Sequence, residues 1–486
     1  MSGHVWDIQP PKVVFTTARG DIVEPADMWS VSSTRTLDNP VASASLMFWD
    51  DVFQDAAGYN GRRIVDVIRP YDLCKIQWVN RQSGNTETDG IYFVQSVTPS
   101  LRINPNGPER QTRVELLSLG EALMRYQIFY HPHLPERSNI GGIAFRVKSK
   151  GKLPQGRPDE VVRTLYDTFL DDNYIFKIAD GRNLRQAFLL NLEVIKESLA
   201  TQALSAMSAE GSLWETLKRY ADAPFNEFFV DFPHENRNSI IQEIGLFGTQ
   251  EAIYLRPTPF SQSKWDALAQ SDAWGFSYDE SDLIADGEQI GPRLDGLANF
   301  FWVSGKSAYS AFDQLTRVYT QSNGKTPRYD EGSIRRFGLR RMEVSTEYVN
   351  FLSREHAKVG RLDPATQRAM RTTKGTFWEV LEQKAKDLHE WFGYPWFWGG
   401  SLTTVGRCGG NREHGARIGG ILSNEQDKRQ YYITGIAQNW NVMSPWTTSL
   451  TLSRGHIPKE WRTWWNKRKD QNPVTLEPDD GVESVR

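Results

Sequence analysis

The chain has 486 residues, too many for one ordinary hydrophobic core, so about two to four domains are expected. Its 57 Lys and Arg nearly balance 60 Asp and Glu, a net charge of −3, which excludes a surface built throughout to neutralise nucleic-acid phosphates. The opening MSGHVWDIQPPKVVF carries no readable secretory pattern, and no run of about 18 apolar residues occurs, the minimum for a membrane-spanning helix. The expectation is a protein made soluble, without membrane insertion, on the cytoplasmic side of its producing cell. Cys74 and Cys408 are too few for a disulfide framework or a four-thiolate zinc site. Aromatics make up 12% of a chain only 39% hydrophobic, a balance that suits a β-rich protein with extensive subunit contacts.

In chain order, the first 125 residues read as β structure. VASASLMFWDDV, RIVDVIRPYDLCKIQWVN and GIYFVQSVTPSL are separated by the turn signals RQSGNTETDG and NPNGPER, and LSLGEALMRY closes the region as a short helix. KGKLPQGRPDE marks a boundary. DEVVRTLYDTFL then places Val162, Leu165, Tyr166 and Phe169 on one helical face, with Pro158 in the first turn. LRQAFLLNLEVIKESLATQALSAM reads as a second helical stretch. Ser212 and Glu215 in SLWE form a capping-box signal for a helix striped by Leu213, Leu217 and Tyr220, which Ala223-Pro224 ends. FNEFFVDF and EAIYLRPTPF follow as strands. From 261 to 330 polar turns surround one apolar strand, ANFFWVSG, and a helix is expected over AYSAFDQLTRVY. RRMEVSTEYV alternates as a strand. TFWEVLEQKAKDLHEWF is the longest helix, with Phe377, Leu381, Ala385, Leu388 and Phe392 at helical spacing and Gly393 just past its end. Strands and turns return up to about residue 455.

Two distant segments echo each other. Tyr92-Phe93-Val94-Gln95-Ser96-Val97 aligns with Tyr431-Tyr432-Ile433-Thr434-Gly435-Ile436. Each precedes a second alternating strand, Thr112–Leu116 running to Gly120 and Ser449–Leu452 running to Gly455. Two readings stand: a pair of unrelated hairpins, or a duplicated barrel that lets a chain imitate two subunits of a ring.

Motifs for chemistry fail on spacing. Gly305-Lys306-Ser307 imitates a phosphate loop, but the required first glycine is Phe300. His131-Pro132-His133 lacks a third metal ligand among His4, His234, His356, His389 and His414. His389-Glu390 lacks a second histidine one helical turn on. Cys408 with His414 or His456 has no orienting third group. Asp50-Asp51, Asp171-Asp172 and Asp479-Asp480 read as solvated or turn residues, and Arg19-Gly20-Asp21 as chance. Trp461, Trp464 and Trp465 interleave with Arg462, Lys467, Arg468 and Lys469, a pattern open to a docked helix, a partner groove or nucleic acid. The last residues, NPVTLEPDDGVESVR, read as a flexible tail. No catalytic, cofactor-binding or metal residue is nominated.

SLWETLKRYADAPFNEFFVDF followed by EAIYLRPTPF resembles a block of baseplate hub proteins of contractile-tailed phages and phage-like particles. Ser333–Arg340 with Met342-Glu343-Val344 is similar to a turn and strand of that family. WFGYPWFWGGSLTTVGR, YYITGIAQNWN and TTSLTLSRG are similar to its last domain. The blocks span roughly residues 211–455 in the family's order; CGGNREHGARIGGILSNEQDKRQ is longer than the usual connection, and the tail after Gly455 has no counterpart.

The resemblance implies an α+β, multi-domain chain with two tube-like β-barrels and interposed helical or mixed segments. Its expected divisions are 1–130 (first barrel), 131–255 (mixed helix and strand), 256–370 (mixed, with strands feeding the second barrel), 371–456 (helix and second-barrel strands) and 457–486 (Trp/basic helix and tail). The implied function is a non-enzymatic, homotrimeric, pseudo-sixfold adaptor in the virion tail baseplate, assembled in the bacterial host cytoplasm. It would join the hexameric tail tube protein ring to the central spike protein among other baseplate proteins, with DNA or payload only in transit and no cofactor. The alternative is a tail-associated cell-wall hydrolase.

Overall fold

The computed structural model describes residues 10–79, 86–104, 107–130, 157–169, 188–195, 209–232, 251–294, 296–305, 327–346, 348, 377–394, 397–406, 415–426 and 428–455. Alternation of apolar and small polar residues turns the N-terminal part into strands β1 (Lys12–Thr16), β2 (Ile22–Val23), β3 (Met28–Thr36), β4 (Ser43–Phe48), β5 (Leu73–Val79), β6 (Thr86–Asn104) and β7 (Gly107–Ser118). The middle supplies β8 (Gln127–Tyr130), β9 (Phe188–Leu192), β10 (Ala209–Ser212), β11 (Asn226–Asp231) and β12 (Glu251–Pro257). It continues through β13 (Gly275–Tyr278), β14 (Leu283–Arg293), β15 (Phe300–Gly305), β16 (Arg328–Tyr329) and β17 (Arg341–Thr346). The C-terminal part adds β18 (Phe397–Val405), β19 (Ile421–Asn424), β20 (Gln430–Asn441) and β21 (Ser444–Ser453).

The two ends of the chain share one 13-stranded sheet. Its path is β14-β18-β21-β20-β3-β4-β7-β6-β5-β1-β2, with β19 on β20 and β13 on β19. The seam is β20 against β3, antiparallel from Gly435↔Thr36 to Asn441↔Ser30. The fold is thus mostly sheet with some helices, α+β as expected. Among the described residues the pairing is an open path, and neither half closes on itself as a barrel.

Each half encloses its own core. Val31, Leu46, Phe48, Cys74, Ile76, Tyr92, Val94, Val114 and Leu116 pack in the first. Leu402, Leu422, Tyr431, Ile433, Leu450 and Leu452 do so in the second, under Phe276 and Tyr278. Between them, β11 pairs antiparallel and β9 parallel with β12, while β15 is flanked by β16 and β17. Helices Pro158–Phe169 and Leu213–Tyr220 bury Val162, Leu165, Tyr166, Leu213, Trp214 and Leu217 in a core shared with β11 and β12. Each such side chain contributes roughly 1.5–3 kcal/mol through burial.

Local sequence rules set the helix ends. Ser212 Oγ accepts from Glu215 N and Glu215 Oε2 from Ser212 N, both at 3.1 Å, a complete capping box. Helix Phe377–Phe392 ends where Gly393 N donates to His389 O at 2.8 Å. It buries Leu381, Ala385 and Leu388 against Phe301 and Val303 of β15.

Some expectations fail. Part of the second helical stretch, Phe188–Leu192, is strand β9, because pairing with β12 satisfies its backbone and buries alternate side chains. The stretch from 261 holds more than turns around one strand. Ser261 caps a helix at Gln262–Gln270, and β13 and β14 follow. The expected helix over AYSAFDQLTRVY lies outside the described residues.

Candidate functional site

The echo between residues 92–97 and 431–436 extends to backbone hydrogen bonds. In β6–β7, Val94 faces Leu116 and Ser96 faces Glu115, so Gln95 is an inserted bulge residue. In β20–β21, Ile433 faces Leu452 and Gly435 faces Thr451, leaving Thr434 in the same place. The turns leading into β5 and β19 clasp these bulges identically. Tyr71 N donates to Val94 O at 2.8 Å, and Gly419 N to Ile433 O at 2.7 Å. Val94 N donates to Asp72 O at 2.8 Å, and Ile433 N to Gly420 O at 2.9 Å. Tyr71 and Gly419 share a left-handed backbone, φ 73° and 75°.

Strand order repeats as well. β3-β4-β7-β6-β5 and β14-β18-β21-β20-β19 are the same path, each built from five strands taken in chain order as first, second, fifth, fourth, third. Of the two readings of the echo, a duplication accounts for all these matches and chance hairpins do not.

The eight strands from β14 to β6 alternate antiparallel throughout. One face holds the two cores. By the period-two alternation of strands the other presents Ser32, Thr34, Ser43, Ser45, Thr98 and Ser100 from the first repeat. Ser401, Thr403, Thr447, Ser449 and Thr451 take the same face in the second. Arg113 and Glu115 place opposite charges there, 3.5 Å apart. Thr403 and Ser449 hydroxyls meet at 3.0 Å.

A buried ionic joint ties both repeats to the middle sheet. Asp231, at the end of β11, accepts from Arg35 of β3 at 2.6 Å and from Arg417 at 2.9 Å. Arg417 also donates to Phe232 O at 2.7 Å and Tyr254 Oη at 3.1 Å. Burial opposes the charge on Asp231, yet the two guanidiniums outweigh it and hold its carboxyl below the ordinary value. Burial likewise works against Arg35, and Asp231 and Glu251 overcome it, so its guanidinium titrates above its ordinary value.

Glu251 of β12 is fully buried, with Oε1 3.7 Å from Arg35 Nη2 and no hydrogen bond of ordinary geometry on either oxygen. Desolvation pushes its carboxyl up to about 7 against the pull of Arg35, with Asp231 adding repulsion.

Beside this joint, Arg256 Nε pairs with Glu227 Oε2 at 2.7 Å, and Nη2 donates to Gly419 O and, at 3.2 Å, to Tyr432 Oη. Tyr432 in turn donates to Glu227 Oε1. Arg256 and Arg417 lie 4.2 and 4.7 Å from the Trp274 ring centroid. The ADAPFNE block closes a third contact, with Asp222 accepting from Lys384 Nζ at 2.6 Å and from Thr346 Oγ1 at 2.5 Å. In the GLR turn, Asn299 Nδ2 donates to Gly338 O and Arg340 N to Asn299 Oδ1, both at 2.7 Å. The quoted blocks therefore contribute buried couplings between elements.

The residues weighed for chemistry do not gather. Gly305 ends strand β15. His389 packs its ring on Phe301 and Tyr394. Asp51 pairs with Arg110 at 2.9 Å. Arg19-Gly20-Asp21 forms the β1–β2 turn, where Thr17 N donates to Asp21 O at 2.9 Å. Cys74 is buried, and burial pushes its thiol up. His4, His131, His133, His234, His356, Asp171, Asp172, Lys306, Ser307, Cys408, His414, His456, Trp461, Trp464, Trp465, Asp479 and Asp480 lie outside the described residues. Among the described residues no three His, Cys, Asp or Glu side chains cluster to hold a metal, and no helix is long and apolar enough to cross a membrane.

No protein-family model matches the chain, and no curated protein sequence does. Solved structures similar to it include a 43 kDa tail protein of prophage MuSo2 from Shewanella oneidensis, at 12% identity and TM-score 0.48, covering 91% of this chain and 98% of that one. A tail protein from Neisseria meningitidis MC58 has 10% identity and TM-score 0.47, covering 92% and 97%. An E. coli type VI secretion system component, described as structurally similar to T4 tail proteins gp27 and gp5, has 9% identity and TM-score 0.36, covering 89% and 75%.

Proposed function

We propose that the chain is a non-enzymatic structural hub of a phage-type tail or injection machine. The observation that carries this reading is the duplicated five-strand unit, matched down to its bulge and joined into one continuous sheet. A chain that presents one surface twice can cap a ring with twice as many copies. As a homotrimer, the hub would offer six equivalent units to a hexameric tail tube ring and hold a trimeric central spike on its far side. Residues 1–130 would supply one tube-like barrel and 371–456, fed by strands from 256–370 such as β14, the other, with 131–255 and the rest of 256–370 as the connecting body.

The hydroxyl-rich face of the eight strands would line the delivery channel. Small neutral side chains there, with Arg113 offset by Glu115, give a passing DNA or other payload little net charge to bind. Other baseplate proteins would attach around the rim, in the virion tail assembled in the bacterial host cytoplasm.

Native mass measurement of the purified chain with its tube and spike proteins tests the reading. The expected result is a trimer bridging both; a stable monomer that joins neither overturns it. A peptidoglycan zymogram tests the non-enzymatic part, and clearing that disappears in Cys408→Ala would overturn that part.

A further inference from the structure

The ionic joint holds more acid than base. Asp231 of β11, Glu251 of β12 and Asp89 of β6 all act on Arg35, and Arg417 is the second cation. Asp231 draws on both guanidiniums, through Arg35 Nη1 at 2.6 Å and Arg417 Nε at 2.9 Å. Asp89 Oδ2 accepts from Tyr92 Oη, while Asp89 O accepts from Arg35 Nη2 at 3.3 Å. Glu251 keeps only Arg35 Nη2 at 3.7 Å and the Gly120 N–H, the latter outside ordinary hydrogen-bond geometry. The groups facing its carboxyl are thus Arg35 from β3, Asp89 and Tyr92 from β6, Asp231 from β11 and the first amide of helix Gly120–Arg125. With all three carboxylates ionised, two guanidiniums face three negative charges; a proton on Glu251 makes the joint neutral.

Glu251 opens β12 on the face that carries Ile253 and Leu255 into the core around Leu119 and Leu123. In the paired strand, Asp231 stands opposite Ala252. The middle sheet therefore meets the first repeat through an apolar contact at Ile253 and an ionic one at Glu251. A cavity of about 60 Å³ adjoins the ionic end, lined by Arg35, Asp89, Tyr92, Asp231, Arg417 and Gln438, with room for water. A buried carboxylate that loses its proton without hydrogen bonds is costly, and the cost falls when water reaches it.

We propose that Glu251 is a proton-operated latch between the middle sheet and the first repeat. Protonated, it lets Arg35 and Asp231 hold the joint closed; ionised, it draws water in through the adjoining cavity and frees the ends of β11 and β12 from β3. Asp231 keeps its charge throughout, because its two guanidiniums hold its carboxyl below the ordinary value. The closed joint pushes the Glu251 carboxyl up to about 7, against 4.5 for the hydrated side chain. The closed form is therefore favoured fully below about pH 4.5 and loses that advantage as pH rises through 7. From these two values the opened form becomes about 70-fold more populated between pH 5 and pH 8.5.

The test is amide hydrogen exchange of the full chain from pH 5 to 8.5, corrected for the intrinsic exchange rate. Phe232 N, which donates to Asp231 Oδ1 at 2.8 Å, and the start of β12 at Glu251–Ile253 report on the ionic end. Leu450–Leu452, in the second core, is the reference. Protection at the joint is expected to fall by up to about 70-fold across this range while the reference strand keeps its own. Glu251→Gln is expected to stay closed at every pH. Asp89→Asn removes a charge that repels the Glu251 carboxylate, so its fall should be smaller and complete at lower pH, which keeps the latch testable if Glu251→Gln does not fold. Joint protection that ignores pH, loosening that persists in Glu251→Gln, a fall unaltered by Asp89→Asn, or loosening shared equally by the reference strand overturns the latch.

Discussion

Replacing Glu251 by Gln should make the protein more stable at alkaline pH. Glu251 has no exposure, and its carboxyl is held near 7 against 4.5 for the free side chain. A folded value above the unfolded one means the native state favours the protonated form. The associated stability is complete below about pH 4.5 and is lost as pH rises through 7. The gap is about two and a half pH units at about 1.4 kcal/mol each, so ionisation costs the native state about 3 kcal/mol. Gln mimics the protonated carboxyl and cannot ionise. Glu251→Gln should therefore match the unmodified protein near pH 4.5–5 and exceed it by up to about 3 kcal/mol at pH 8.5. Asp231, whose folded value is lowered, supplies stability above its ordinary range that is lost only in more acidic solution, outside this window. The measurement is the denaturant midpoint of both proteins, followed by tryptophan fluorescence across pH 5–8.5. Titrating groups that do not interact with Glu251 cancel in the difference, and its neighbours Arg35 and Asp231 do not change charge between pH 5 and 8.5. A difference that does not change with pH, or a variant weaker at pH 8.5, would mean that Glu251 is ionised and usefully paired with Arg35, and the reasoning would fail.

Asp231→Asn leaves Arg35 and Arg417 buried around a neutral amide and should cost about 3–5 kcal/mol in denaturant titration. Its charge-conserving counterpart Asp231→Glu should lose less. Gly419→Ala places a methyl 2.7 Å from Arg256 Nη2 on a left-handed backbone, and a loss of about 1–3 kcal/mol should appear as a lower denaturant midpoint. Ser212→Ala removes one arm of the capping box and should cost about 1 kcal/mol, seen most directly as faster amide exchange at Leu213–Glu215.

Much of the fold was legible because its signals are local. The capping box at Ser212, the glycine stop at Gly393 and the short alternating strands each depend on a few neighbouring residues. β9 was misread because FLLNL satisfies a helical pattern as well as a strand, and only pairing with β12 decides. The ionic joint was half visible. Glu227, Asp231 and Arg256 fall in recognisable blocks, but nothing in SSTRT distinguishes Arg35 from a solvated strand residue until Asp231 arrives from 196 positions away. Glu251 is harder still, since a carboxylate at the start of a strand ordinarily faces water.

The duplication also explains which residues diverged. Tyr71 and Gly419 hold the same strained turn position, but their surroundings differ. Tyr71 is half exposed, its hydroxyl bound by Arg125 beside Phe93. Gly419 lies under Arg256 and Phe229, where a Cβ would strike the guanidinium. The first repeat therefore accommodates a bulky, half-exposed residue at the turn, while in the second any side chain would collide with Arg256 of the middle sheet. The same division runs along strands β6 and β20, where Leu101 is bare and Trp440 is packed. The two repeats share the backbone of the unit and differ in the side chains set on it, Trp440 packed inside the chain and Leu101 left exposed.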